Sequence, residues 1–509
     1  MKPARASKLA PLAVFAALAA LSAAAVWFFH SRGQLLYYGD AEAHLNIARR
    51  IFDSRTPGYD QIGTVWLPLP HLMMLPLVRD DAMWRSGLAG SIPTAACFVL
   101  AGLFLYLAAR RAFRDSLAAL VAVAAFALNP NLLYLQSVPM TEPVSLAALM
   151  GLLYFTVRGS AVGAGICALA GALTRYEHWF LLPFVAAYFL LTSPRRVRSA
   201  VVFCAIAGLG PLYWLAHNAY VYSDPLYFYH GPYSARAIQG AAGYPGRDDW
   251  PKAFLYFRTA ARLCAGFGLY WAGVAGLAAA LARRAWWPLL LLALPAGFYV
   301  LSVHSSGTPI FVPELWPHSY YNSRYGLAAL PLLALGAAAL AAVAPGRYRG
   351  RVAAAVVLAA LVPWLIHPRQ EAWITWKESQ VNSAARRNWT RQAAAYLGPL
   401  YRRGDGIYTQ FGDLTGIWRL AGIPLRETFT PDNGLEWEAS FRRPDLFLHE
   451  EWTVAIAGDP AQTVLTRAKR PYPNYPDYDL VMSIIVKGAP VIEIYRRRGS
   501  YRESIHPVY

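Results

Sequence analysis

Apolar stretches about as long as a membrane-crossing helix follow one another through most of this chain, separated by polar segments. A helix needs about 20 residues to cross the bilayer core, and its backbone groups must be paired internally because lipid offers no hydrogen bonds. The pattern therefore predicts about eleven transmembrane helices, at residues 9–29, 86–109, 116–137, 142–157, 160–174, 178–192, 199–217, 260–282, 285–303, 325–343 and 352–366.

Beyond residue 366 the pattern changes to that of an ordinary soluble protein. Short runs rich in β-branched and aromatic residues predict strands at 407–409, 453–457, 480–486 and 491–495, and residues 414–420 favour a short helix. The predicted fold class is a polytopic α-helical membrane protein with a small C-terminal soluble α/β domain. Residues 1–366 would form the transmembrane domain and residues 367–509 the soluble one.

Charge gives this topology a direction. Only 15% of the residues are charged, whereas soluble proteins carry about 25%. With the N-terminus inside, the inner segments hold one acidic residue, Asp115, and fifteen basic residues: Lys2, Arg5, Lys8, Arg110, Arg111, Arg114, Arg158, Arg195, Arg196, Arg198, Arg283, Arg284, Arg347, Arg349 and Arg351. Cytoplasmic loops are basic in this way, so the net charge of +18 requires no nucleic-acid partner. We expect a multi-pass protein of the cytoplasmic (inner) membrane with a cytoplasmic N-terminus and an extracytoplasmic C-terminal domain.

Acidic residues open the first long outer connection, which runs from about residue 30 to 85. Asp40 follows Tyr37-Tyr38-Gly39, and residues 41–53 have the apolar stripe of a short helix lying on the membrane surface. With Asp40 as an extended N-cap and Glu42 in the first turn, both carboxylates are able to face one cavity. An ordinary role in capping the helix and favouring its dipole explains the same two residues.

Three further groups of ionisable residues lie at predicted outer helix ends. Glu142 follows Thr141 at the start of the fourth apolar run, Arg175 and Glu177 occupy the turn between the fifth and sixth, and Arg324 precedes the tenth. Each has an ordinary explanation: a helix start, a local ion pair, or an arginine that reaches lipid phosphate. Together they place costly charges from distant segments on one membrane face. This combination predicts an outward-facing site for acid–base chemistry with an anionic leaving group.

These motifs, in this order, resemble those of the GT-C superfamily of membrane glycosyltransferases. The likeness is greatest to bacterial relatives of the protein O-mannosyltransferases and of the lipid A aminoarabinose transferase. It covers about residues 30–330 and rests on Gly39-Asp40-Ala41-Glu42-Ala43-His44, Pro68-Leu69-Pro70-His71, Glu142, Thr174-Arg175-Tyr176-Glu177 and Arg324-Tyr325. The resemblance implies inverting transfer of a sugar from a polyprenyl-phosphate donor to a protein, lipid or glycan acceptor at the outer membrane face.

Carried over by position, the resemblance makes Asp40 the general base on the acceptor, assisted by Glu42. The implied substrate-binding residues are Glu142, Arg175, Glu177, Arg324, Tyr325 and His71, of which the two arginines would neutralise the leaving phosphate. The resemblance fixes no cofactor, although a divalent cation held by Asp40, Glu42 and His44 is an option. Ala41 separates the two acids of the first loop, whereas better-known members often have adjacent acids there.

Three other functions stay open. A transporter or flippase for a lipid-linked or anionic solute also needs many helices and buried charges, but it would place some charges near the bilayer midplane. A ligase that joins whole glycans shares the chemistry without the first-loop motif. A receptor or scaffold would work through the soluble domain. In the favoured case the expected partners are the lipid-linked donor, membrane lipid and the acceptor.

Overall fold

The computed structural model of the chain describes residues 9–239, 243–305, 307–410, 412–466 and 475–499. Contacts between residues divide the chain into two compact units. The first comprises the described residues of 1–35, 64–73 and 91–381, and the second those of 36–63, 74–90 and 382–509. The first-loop segment that carries Asp40 therefore folds with the C-terminal part of the chain.

Every apolar run predicted from the sequence is helical in the structure. The α-helices up to residue 366, apart from two short ones named below, lie at Leu9–Ser31, Leu69–Val78, Leu88–Phe113, Ser116–Ala127, Pro130–Ser137, Glu142–Arg158, Ala161–Ala172, Glu177–Thr192, Arg196–Ala207, Leu209–Tyr222, Tyr227–His230, Ala235–Gln239, Trp250–Ala265, Phe267–Ala282, Trp286–Ser305, Leu330–Val343 and Arg349–Ile366. A 3₁₀ helix, Ser323–Ala329, precedes Leu330–Val343.

Six helical segments in the described part of the chain are long and apolar enough to cross a membrane, or eight if each of two bent pairs is one span. The bent pairs are Ser116–Ala127 with Pro130–Ser137 (64°) and Trp250–Ala265 with Phe267–Ala282 (113°). The other three predicted runs form helices of 17, 12 and 16 residues, shorter than the ~20 residues of a full span. The predicted polytopic helical fold class is confirmed, and these three short helices account for the difference from eleven.

The second unit contains a mixed sheet of five strands: β1 (Ile407–Thr409), β2 (Thr428–Phe429), β3 (Trp452–Ile456), β4 (Tyr478–Ile484) and β5 (Ile492–Arg497). The strand order is β2-β1-β3-β5-β4. Strand β1 pairs in parallel with β2 and β3, and β5 pairs antiparallel with β3 and β4. The four strands predicted from the sequence are present, each shifted by at most two residues. The two-residue strand β2 is too short to produce an alternating pattern.

Helices surround this sheet in the second unit. They lie at Gly39–Arg50, Asp81–Ser86, Thr415–Ala421, Leu435–Arg442, Pro444–Phe447 and Pro460–Thr466, and helix Ile374–Leu400 enters the unit at residue 382. The predicted short helix at 414–420 is thus confirmed.

Helix Gly39–Arg50 lies in the core of the second unit. Leu45 and Ala48 are fully buried and belong to one apolar cluster with Trp389, Trp418 and Trp452. The prediction of a helix on the membrane surface is therefore wrong. Other parts of the protein cover its apolar stripe. Its polar face is buried as well, and there Arg49 pairs with Asp53 and Arg50 with Asp432.

Candidate active site

Four ionisable residues singled out in the sequence converge in the first unit. Arg175 Nε lies 2.7 Å from Glu177 Oε1, and Arg175 Nη1 lies 3.2 Å from Glu142 Oε1. Arg324 Nε donates to the same Glu142 oxygen at 3.1 Å. Tyr325 lies beside them, with its ring 5.3 Å from the Arg175 guanidinium carbon. Residues as far apart in the chain as 142 and 324 thus form one cluster.

Local structure explains how Arg175 reaches Glu142. Thr141 precedes helix Glu142–Arg158 in helical geometry, and its side chain makes no cap hydrogen bond. Its Oγ1 instead accepts from Arg175 Nη1 at 2.7 Å. The Thr141 side chain therefore does not cap this helix, because its hydroxyl accepts a hydrogen bond from the arginine of the neighbouring turn.

Arg324 is held in place by a close approach of two backbones. It lies in the 3₁₀ helix Ser323–Ala329, two residues before Gly326. A Cβ atom at Gly326 would lie 2.4 Å from the carbonyl of Ala260. Only glycine allows this segment to pack so closely on helix Trp250–Ala265, and the resulting position directs the guanidinium to Glu142.

The structure adds residues that the sequence did not indicate. Arg324 Nη1 donates to Glu378 Oε1 at 2.9 Å, and the Ser323 hydroxyl also donates to Glu378. The Tyr299 hydroxyl accepts from Arg175 Nη2 at 2.7 Å and donates to Glu177 Oε1 at 3.0 Å. Glu378 lies in the predicted soluble domain, and Tyr299 lies inside an apolar run. Neither carries a local signal.

A histidine and a serine complete the polar surroundings. His178 Nε2 lies 2.9 Å from Ser145 Oγ, and the Ser145 hydroxyl donates to Glu177 Oε1 at 3.4 Å. His178 is 1% exposed. Both side chains border the same carboxylate that Arg175 and Tyr299 contact.

Negative charge exceeds positive charge in this cluster. Three carboxylates (Glu142, Glu177 and Glu378) face two guanidinium groups (Arg175 and Arg324), a net charge of −1 when all five are ionised. Glu142 Oε2 is buried and has no hydrogen-bond partner among the described residues. Glu142 also lines a small cavity of about 30 Å³, together with Ser145, Glu177, His178, Tyr299 and Arg324. Because an unpaired buried carboxylate oxygen is costly, this oxygen is suited to accept a hydrogen bond from a ligand or water.

The predicted catalytic residues Asp40 and Glu42 belong to the second unit. Tyr38 is the extended N-cap of helix Gly39–Arg50, and Asp40 is already in its first turn, partly exposed. The prediction that Asp40 is the N-cap is therefore wrong by two residues. Arg386 donates to the carbonyl of Tyr37 at 2.8 Å and so fixes the segment that leads to Asp40.

Glu42 is buried and paired. Its Oε1 accepts from Arg419 Nε at 2.9 Å, and it packs against Gly416, where a Cβ would lie 2.8 Å from that same oxygen. His44, on the same helix, is 1% exposed. Among the described residues no three His, Cys, Asp or Glu side chains are grouped to hold a metal ion. The structure thus gives no support to a cation held by Asp40, Glu42 and His44.

His71 is the remaining residue that the resemblance assigns to substrate binding. It is fully buried in helix Leu69–Val78 and is not among the residues that line the small cavity. Its assignment to substrate binding stays a prediction.

Comparison with known proteins relates this architecture to solved structures. No protein-family model matches the chain, and no curated protein matches it. ArnT from Cupriavidus metallidurans, solved with bound undecaprenyl phosphate, superposes with a TM-score of 0.60 at 14% identity over 96% of this chain and 98% of its own. The two chains therefore share one fold over nearly their whole length. Its apo form gives a TM-score of 0.57 at 14% identity, over 89% of this chain and 92% of its own.

The apo oligosaccharyltransferase of Archaeoglobus fulgidus is also similar, at 16% identity and a TM-score of 0.49, over 88% of this chain and 70% of its own. ArnT is an aminoarabinose transferase, and both proteins are GT-C glycosyltransferases. The superposition on ArnT confirms, at the level of the fold, the resemblance predicted from residues 30–330. The GT-C likeness extends beyond those residues to nearly the whole chain.

Proposed function

We propose that this GT-C protein is a glycosyltransferase that takes its sugar from a polyprenyl-phosphate donor. The observation that carries the proposal is the fold shared over 96% of the chain with ArnT, a structure that holds undecaprenyl phosphate. The buried cluster of acids and arginines adds chemical support, since such groups at membrane depth are costly unless they serve a purpose.

The proposed reaction is an in-line displacement at the anomeric carbon. An acceptor hydroxyl or amine attacks this carbon as its bond to the phosphate oxygen breaks, which inverts the configuration. The proton of the acceptor passes to Asp40 as general base, and polyprenyl phosphate leaves with the electron pair. Asp40 suits this role because it is partly exposed. Glu42, held by Arg419, would assist through its charge.

The leaving phosphate would be neutralised by Arg175 and Arg324. Both guanidinium groups already contact Glu142 through a single carboxylate oxygen. An approaching phosphate would therefore compete with Glu142 for the same donors. Arginine suits such an exchange because its planar fork binds carboxylate and phosphate in similar geometry.

The membrane location follows from the apolar helices, and we propose the outer face of the cytoplasmic membrane for the reaction. The basic residues predicted at the inner ends of the helices support a cytoplasmic N-terminus. A lipid-linked donor suits this face because the polyprenyl chain carries the activated sugar within the bilayer.

Purified full-length protein in lipid vesicles, supplied with a panel of labelled polyprenyl-phosphate sugars, tests the proposal. We expect release or transfer of label from at least one donor, with free polyprenyl phosphate as the second product. Movement of a labelled lipid or solute across sealed vesicles without cleavage of any donor would contradict the proposal and favour a transporter.

A further inference from the structure

A second cavity lies in the first unit, among residues that the proposed reaction does not use. It has a volume of about 350 Å³ and is lined by Tyr229, Arg236, Tyr244, Arg247, Asp248, His304, Ser305 and Gly307. Small-molecule sites range from about 300 to 1,000 Å³, so this one, here called the basic cavity, is large enough for a phosphate or a phosphorylated sugar. Among the residues that the structure describes, none that lines this cavity is aliphatic, which makes it poorly suited to a polyprenyl chain.

The walls of the basic cavity are fixed to each other. The amide of Asp248 donates to the carbonyl of His304 at 3.0 Å, and the Trp250 ring stacks on the His304 ring with centroids 4.0 Å apart. Gly246 has a φ of +94°, and a Cβ there would lie 2.8 Å from Val303 Cγ1. Only glycine lets this turn approach the end of helix Trp286–Ser305 so closely, and the turn positions Arg247 next to it.

Positive charge dominates the lining. Arg236 and Arg247 contribute two guanidinium groups, and Asp248 is the one carboxylate among the lining residues. The pair of Arg247 Nε with Asp248 Oδ2 is long, at 3.9 Å, and the Asp248 side chain is 83% exposed, so it neutralises little. Guanidinium groups with tyrosine hydroxyls beside them are the donors that bind phosphate or carboxylate oxygens.

The position of the basic cavity relates it to the acidic cluster of the same unit. His304 follows Tyr299 by five residues in helix Trp286–Ser305, which is about 7.5 Å along the axis at 1.5 Å per residue. Tyr299 contacts Arg175 and Glu177 and lines the small cavity. The two cavities therefore lie near one another along a single helix.

We propose that the basic cavity binds an anionic group, a phosphate or a carboxylate, of the sugar acceptor. The polar character of the described lining residues favours the acceptor over the lipid tail of the donor. The assignment to an acceptor rests on the proposed function, whereas the binding of an anion does not.

Inorganic pyrophosphate is a suitable probe for the anion site. It is titrated into the full-length protein in phosphatidylcholine vesicles, and the same is done with the double variant Arg236→Gln/Arg247→Gln. A second double variant, Arg196→Gln/Arg198→Gln, removes the same charge from two exposed arginines at the start of helix Arg196–Ala207. We expect pyrophosphate affinity to fall at least about tenfold in the first variant, since hydrogen bonds between charged groups are among the strongest in proteins.

The control variant is expected to bind like the unaltered protein. Equal affinity in all three proteins, or no binding in any, would overturn the anion site. Because Arg236 and Arg247 are exposed, their replacement is not expected to affect folding. Tyr244→Phe provides a second, milder test, in which affinity falls a few-fold.

An assay of donor cleavage shows whether the bound anion belongs to the acceptor, to the donor phosphate or to a lipid headgroup. If the cavity serves the acceptor, pyrophosphate leaves the KM for the labelled donor unchanged during hydrolysis of that donor. If pyrophosphate instead raises the KM for the donor, and this rise is lost in the Arg236→Gln/Arg247→Gln variant, the cavity belongs to the donor phosphate. Competition by short-chain phosphatidylglycerol would assign it to a lipid headgroup. Either result overturns the acceptor assignment, whereas pyrophosphate binding without cleavage of any donor would overturn the proposed function alone.

Discussion

Each of the two units contains a cluster of arginines and carboxylates around a buried arginine, and the two clusters differ in their balance of charge. In the second unit, Arg49 contacts Asp53 at 2.7 Å and Asp81 at 2.6 Å, Arg426 contacts Asp53 at 2.9 Å, and Arg50 pairs with Asp432. In the first unit, the carboxylates outnumber the guanidinium groups. Glu142 lines the small cavity, and one of its carboxylate oxygens has no hydrogen-bond partner among the described residues.

This difference separates a structural network from a candidate site. A buried ion pair by itself is weak evidence of function because its members satisfy each other. The network around Arg49 holds helix Gly39–Arg50 in the core of the second unit. The cluster around Glu142 has one more carboxylate than guanidinium groups, and a buried oxygen of Glu142 lacks a hydrogen-bond partner among the described residues. Buried polar groups left without a partner in this way often contact a ligand.

Asp40→Asn tests the largest expected effect. The change is nearly isosteric and removes the proton acceptor, so we expect sugar release to fall about 100- to 10,000-fold, the usual contribution of a general base. Release is measured with the labelled donor that the panel identifies. Unfolding in detergent should be unchanged, and undiminished release would exclude Asp40 as the base.

Arg324→Met removes one of the two arginines from the cluster around Glu142 in the first unit. It removes the guanidinium that contacts the buried Glu378 and leaves Glu142 with Arg175 alone, so we expect about 3–5 kcal/mol lower stability. Sugar release per folded molecule should fall as well, since the group proposed to meet the leaving phosphate is gone. Thermal unfolding and release assays on the same preparation measure both. A loss of stability with normal sugar release would show that this cluster, like the network around Arg49, only stabilises the fold.

Arg49→Met is the corresponding change in the second unit, where three arginines face three carboxylates. Arg49, like Arg324, is buried and contacts two carboxylates, but Asp81 is 61% exposed and Asp53 keeps its contact with Arg426. Its loss should therefore destabilise the protein by about 1–3 kcal/mol. Release per folded molecule, measured well below the unfolding temperature, should stay close to that of the unaltered protein. A loss of release as large as that in Arg324→Met would remove the contrast between the two networks.

Tyr299→Phe gives the smallest expected effect. It removes the hydroxyl between Arg175 and Glu177 and keeps the ring stacked on Tyr325, with centroids 4.7 Å apart. Each buried group loses one hydrogen bond, at about 1–3 kcal/mol, and we expect release to fall about tenfold. The effect should appear in kcat for the donor. Full activity would show that Tyr299 does not position the charged pair.

The sequence alone determined the helical membrane architecture, because crossing a bilayer imposes a length and an apolar composition that each segment shows by itself. It also predicted four of the five strands, from β-branched and aromatic runs, and its motifs indicated the GT-C likeness. Charged residues such as Glu142 and Arg175 were recognisable because they are costly at membrane depth.

Only the tertiary structure decided which of these charges pair. Arg324 meets Glu142 across 182 residues and Glu378 across 54, and no local pattern specifies such partners. The same holds for helix Gly39–Arg50, whose amphipathic sequence is equally suited to a membrane surface or a protein core. Its burial depends on carboxylates and tryptophans supplied by distant segments, so its environment is fixed only when those segments pack together.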